Sequence, residues 1–158
     1  MGQRTSALAD QFEQVVTEFS TAIEAVPESK WNATTEEGWT VAAAAQHVAG
    51  QFPLEMEYIT AGAEGKPLPG YDWDYVNGKN DGRAAGEMSV TKDHVLKTLR
   101  DGAAGVAAYL RGMDDSTLDN KAPLPLANGA EVTTEQLILG GVLIDHVRAH
   151  LKNIQAAQ

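Results

Sequence analysis

The chain predicts an all-α four-helix bundle, and three observations carry that expectation. Apolar residues recur at spacings of three and four in helix-length segments, no segment shows a convincing strand alternation, and capping residues and prolines stand where such helices should begin and end. The 158 residues, 43% hydrophobic and 22% charged, suit one domain over 1–158 with its own core.

Leu8, Phe12, Val15, Val16, Phe19, Ile23 and Val26 define one face of a first helix over about 5–26, stopped by Pro27. Thr40 is a candidate cap for a second, alanine-rich helix, in which Pro53 marks a kink or an end. From Gly62 to Gly86 the chain is glycine- and proline-rich yet carries Tyr71, Trp73 and Tyr75, so a long loop or broken helix is expected between helices two and three. A loop of that length with that aromatic content reads as a lid or pocket wall. Ser89 is a candidate cap for the third helix, through about Arg111, weakened at Gly102 and Gly105. Pro123 to Leu126 followed by Asn128-Gly129 suggests a small hairpin, and Thr133 with Gln136 forms a capping-box pattern opening a fourth helix to about Ala156.

Within that last helix His146 and His150 stand four residues apart, so both imidazoles leave one face, where Leu139, Leu143, Val147 and Ile154 also lie. Two adjacent polar rings in an apolar stripe are hard to satisfy without a shared partner, and a metal ion is such a partner. His47 lies at the edge of the apolar face of helix two, beside the small residues Ala43 and Ala44, and can reach across a bundle interior. His94 stands in a polar first turn beside Lys92 and Asp93 and reads as a surface residue.

Composition narrows the function. The chain has no cysteine, which removes disulfides, zinc ribbons and a thiol nucleophile and leaves histidine as the strong nitrogen ligand. A net charge of −10 argues against a phosphate backbone as partner, so no nucleic acid is expected. No apolar stretch long enough to span a membrane is present, so no membrane partner and a cytoplasmic location are expected.

Gly38-Trp39-Thr40-Val41, Gln46-His47-Val48-Ala49 and His146-Val147-Arg148-Ala149-His150-Leu151, in that order, resemble the DinB-like superfamily of YfiT-like metalloproteins, related to the metal-binding domain of mycothiol-dependent maleylpyruvate isomerase. The resemblance implies an up-up-down-down bundle, often a homodimer, whose divalent metal is held by His47, His146 and His150. It also likens the segment from Val76 to Arg83 to the asparagine-containing stretch of many members.

Three neutral imidazoles leave an ion its double positive charge and an open position, an arrangement suited to catalysis. The expected function is a metal-dependent enzyme, with zinc or nickel, acting either as a low-molecular-weight thiol-dependent transferase or isomerase or as a hydrolase of a small substrate. The alternative is a non-catalytic, stress-related bundle that binds metal or ligand. The thiol enters only through the resemblance. Asn77, Asn80 and Arg83 are candidates to orient the small-molecule substrate, Tyr71, Trp73 and Tyr75 to line its pocket, and Asp145 or Glu57 to serve as a base.

Overall fold

The structure is a computed structural model that describes residues 2–86 and 90–158, with side chains outside 81–86. Its helices are α1 (Gln3–Ala25), α2 (Val41–Ala63), α3 (Trp73–Gly86), α4 (Lys92–Gly112), α5 (Thr134–Leu139) and α6 (Ile144–Ala156). A two-stranded antiparallel hairpin, β1 (Lys121–Leu124) with β2 (Ala130–Thr133), precedes α5, as the turn signal at Asn128-Gly129 suggested.

The caps explain the boundaries. Thr40 accepts the Ala43 amide at the start of α2, and Thr133 with Gln136 forms a reciprocal capping box at α5. Thr91 caps α4 through the His94 amide; the candidate cap Ser89 lies outside the described residues. α1 has no side-chain cap of its own, and the Asp115 carboxylate accepts from the Gln3, Arg4 and Thr5 amides instead. Those backbone donors hold the Asp115 carboxyl below its usual range. Pro53 does not end α2, which runs ten residues beyond it.

Four rods, α1, α2, α4 and the α5–α6 pair, enclose the core. Phe12 and Phe52 meet edge to face across it at 5.5 Å, and Phe19, Ile59, Leu99, Ile144 and Ile154 are fully buried around them. Both α1 and α2 pack on α4 and on α6. Lys92 donates to the Val26 carbonyl and Arg111 reaches Asp10 and Glu13, so α4 runs against α1. Gly102 sits against Phe52, and Ala63 lies beside Gly112, so α4 runs with α2. Arg4 pairs with Glu135, and Ile154 lies beside Ala22 and Ala25, so α6 runs with α1.

The directions are therefore up-down-down-up, which corrects the up-up-down-down order expected from the resemblance. Because α2 and α4 are parallel, the chain from 64 to 91 must travel back along the bundle. This is why the expected long loop is a crossover, and why much of it folds as α3. The fourth helix is also interrupted. A Cβ on Gly140 would lie 2.7 Å from the Gln136 carbonyl oxygen, and the chain turns there before α6 starts two residues ahead of His146.

Candidate metal centre

The middle of α2 is buried on every side, with Ala42, Ala44, Ala45 and Val48 at zero exposure, so His47 enters the interior among side chains too small to fill it. α6 runs against α2 and brings its i, i+4 pair opposite. One ring nitrogen from each of His47, His146 and His150 lies within 4.8 Å of the others. The Nε2 atoms of His47 and His146 are 3.0 Å apart, so without an ion one of them donates to the other. A tetrahedral ion with bonds of about 2.1 Å holds its nitrogens about 3.4 Å apart, a spacing these rings reach with small adjustments.

Two of the Nδ1 atoms, those of His146 and His150, face carboxylates. His146 Nδ1 lies 2.7 Å from Glu55 Oε1, and His150 Nδ1 lies 3.3 Å from Glu37 Oε2. A carboxylate this close to Nδ1 favours a proton on that nitrogen, the tautomer that presents Nε2 to an ion. Burial, with the repulsion of His146 added, pushes the His150 pKa down to about 4. It is therefore neutral at ordinary pH, the form a metal takes. The three interior rings, two of them backed by carboxylates, offer imidazole nitrogens that fit a divalent transition ion.

Glu37 and Trp39 reach the site because the chain reverses tightly ahead of α2. The Thr35 amide donates to the Trp39 carbonyl, Thr34 bridges Thr40, and Gly38 takes a φ of +87° that favours glycine. The Trp39 ring lies edge-on to His47 at 4.9 Å and parallel to His150 at 6.2 Å.

Below the histidines a cavity of about 140 Å³ opens between α2, α3 and α6. His47, Gln51, Leu54, Glu55 and Tyr58 line it from α2, Trp73, Val76 and Asn80 from α3, and Leu126, Gly141, Val142 and His146 from the far side. Of the residues proposed to hold substrate, Trp73 and Asn80 are thus brought to the cavity, and Trp73 is tied down through its indole N–H to the Leu126 carbonyl. Tyr71, Tyr75 and Asn77 do not line it. Residues 73, 76 and 80 share one face of α3, so 75 and 77 face outward. Tyr71 stacks on Tyr75 and donates to Glu57, which holds its phenol proton and pushes its pKa up to about 12. The Arg83 side chain lies outside the described residues. Glu57 and Asp145, the candidate bases, are exposed and engaged with Tyr71 and Arg148. His94 is exposed, as expected.

Sequence reasoning missed Glu37, Gln51, Glu55 and Tyr58. The signal was present for two of them: Gln51 and Glu55 follow His47 at steps of four, so two further polar residues fall on the same side of α2 as the histidine.

The sequence pattern of the DinB superfamily matches residues 11–154. The chain belongs to that superfamily. Solved structures with the same fold include YfiT from Bacillus subtilis, described as a probable metal-dependent hydrolase with an unusual four-helix bundle topology, at 18% identity and a TM-score of 0.76 over 97% of this chain and 85% of that one. The mycothiol-dependent maleylpyruvate isomerase matches at 14% identity and a TM-score of 0.73 over 95% of this chain. This chain spans only 60% of the isomerase's length. The colibactin self-resistance protein ClbS matches at 13% identity and a TM-score of 0.73, over 98% of this chain and 94% of its own. No curated protein matches by sequence. ClbS was solved in complex with double-stranded DNA, so this fold does not by itself exclude nucleic acid, and the expectation drawn from net charge is corrected to that extent. Among the described residues no helix is long and apolar enough to cross a membrane.

Proposed function

We propose that the protein is a metal-dependent enzyme that holds one divalent ion, zinc or nickel, through His47, His146 and His150 and acts on a small molecule in the adjoining cavity. The observation that carries this reading is the convergence of three interior imidazoles at one end of a cavity, two of them in its wall. A bound ion of this kind supplies Lewis acidity and activates water or a thiol as a nucleophile near neutral pH.

The chain's own residues do the rest. Glu55 and Glu37 orient His146 and His150, Trp39 packs against His47 and His150 and shields them from water, and α3 closes the cavity over the substrate. Glu55 is the nearest buried carboxylate to the site and is placed to take a proton. Hydrolysis and addition of a low-molecular-weight thiol both use this arrangement, the first suggested by the description of YfiT and the second by the name of the isomerase.

The test compares metal-loaded with metal-stripped protein on small esters and amides, and on electrophiles offered with a thiol. Turnover should require the metal and disappear in His47→Ala, His146→Ala and His150→Ala. Undiminished turnover in those variants would refute the assignment, and metal uptake without turnover on either substrate set would favour a non-catalytic metal-binding bundle.

A further inference from the structure

The cavity beneath the histidines has a rim as well as a wall. Among the described residues that line it, Trp73 and Gly141 are the two exposed ones, Trp73 at 57%, while Val76, about one turn further along α3, is buried. A residue that lines a cavity and also meets solvent stands at its mouth. On the opposite flank of the site Trp39 packs on His47 and His150, so the mouth at Trp73 is the approach that the cavity itself provides.

Two contacts fix Trp73 there. The Asp72 carboxylate accepts the Tyr75 amide and caps α3, which puts Trp73 in the first turn. The indole N–H donates to the Leu126 carbonyl at 2.9 Å and joins α3 to the hairpin tip across 53 residues of sequence. Leu126 is itself in the cavity wall, in the short turn of helix Pro125–Ala127. The bond therefore bridges two walls and holds a broad, rigid ring at the opening. This rim lies at the start of α3; positions 81–86 follow eight or more residues later, at least about 12 Å along the helix. Behind the rim the space is about 140 Å³, the scale at which a protein cavity accepts a single benzene ring.

We infer that Trp73, held to Leu126, sets the width of the entrance and makes the site selective for slender substrates, of one ring or an unbranched chain, over bulkier molecules of the same chemistry. This deepens the proposed function and rests on it for the reaction at the histidine end. The size limit belongs to the rim and holds for the metal-free protein.

Because the chain has no cysteine, a single thiol can be placed behind the rim as Val76→Cys, with Ser116→Cys on the exposed surface as the reference. The test follows reaction of these metal-free proteins with N-methylmaleimide and N-(1-pyrenyl)maleimide, which share a reacting group and differ in girth. Each rate at Val76→Cys is divided by the rate at Ser116→Cys, and melting temperatures check the fold. The slender reagent should react at least about tenfold faster, the factor expected where the broad one must first break a hydrogen bond. Adding Trp73→Ala should accelerate the broad reagent until the two rates agree within about twofold, with the slender one little changed. Equal rates while Trp73 is present, no reaction with either reagent, or an unchanged ratio in Trp73→Ala would overturn the inference. So would equal acceleration of both reagents, which would mean that α3 has come away from the bundle. Zinc titration of the parent separates the two claims: zinc uptake without size dependence defeats this inference alone, and size dependence without zinc uptake defeats the metal reading alone.

Discussion

Glu55→Gln removes one charge from a buried carboxylate and keeps its shape. In the parent, Glu55 is 4% exposed with Oε1 2.7 Å from His146 Nδ1, so its charge acts through the imidazole on the nitrogen at the opposite side of the ring. A carboxylate in that position raises ligand basicity and fixes the tautomer, and losing such a partner weakens metal binding about 10- to 100-fold, or ~1.4–2.7 kcal/mol. The assay is a zinc titration against a competing chelator at fixed pH. Glu57→Gln, two residues further along α2, is the control: Glu57 holds Tyr71 on the outer surface and its loss should leave zinc affinity unchanged. Because Glu55 is buried and paired with His146, the melting temperature of metal-free Glu55→Gln is compared with that of the parent first, and zinc affinity is compared between folded samples. Equal zinc affinity in Glu55→Gln and the parent would refute the positioning role, and an equal loss in Glu57→Gln would show that only net charge matters.

Two further outcomes follow from packing and titration. A Cβ on Gly102 would lie 2.8 Å from the Phe52 ring, itself locked against Phe12, whereas Gly105 on the same helix faces open space. Gly105→Ala should gain about 1 kcal/mol of helix propensity and raise the melting temperature by about 2–4 °C, while Gly102→Ala should lower it because overpacking exceeds that gain; a rise in both would show that Phe52 yields freely. Tyr71, whose pKa is pushed up to about 12, should be the late phase of an absorbance-monitored alkaline titration and should move back toward 10 in Glu57→Gln. Its folded pKa is raised, so its contribution to stability is complete below pH 10 and is lost as pH rises through 12. A titration unaltered by Glu57→Gln would contradict the hydrogen bond.

The bundle and the three histidines were legible because their signals are local. An i, i+4 histidine pair in an apolar stripe points to one face whatever the partner helix does, and caps such as Thr40 and Thr133 act within one turn. Helix direction was not legible, since an amphipathic face reads the same up or down; only pairs such as Arg111 with Asp10, far apart in sequence, fix it. α3 was legible only as one half of a loop-or-broken-helix reading, because Gly78, Gly82 and Gly86 interrupt the stretch and the face that carries Trp73 and Val76 also carries the polar Asn80. The interruption at Gly140 was hidden by an apolar pattern that continues across it from Leu139 to Leu143. Glu37 was invisible for a different reason: it reaches His150 from a turn set by the positive φ of Gly38, and no periodicity describes a turn.

The claim that His47, His146 and His150 share one ion is tested most directly by elemental analysis of untagged protein reconstituted with zinc or nickel and freed of excess, beside His146→Ala treated alike. Near one equivalent of metal in the parent and little in the variant is the expected result. No metal in either, or the same amount in both, would contradict it.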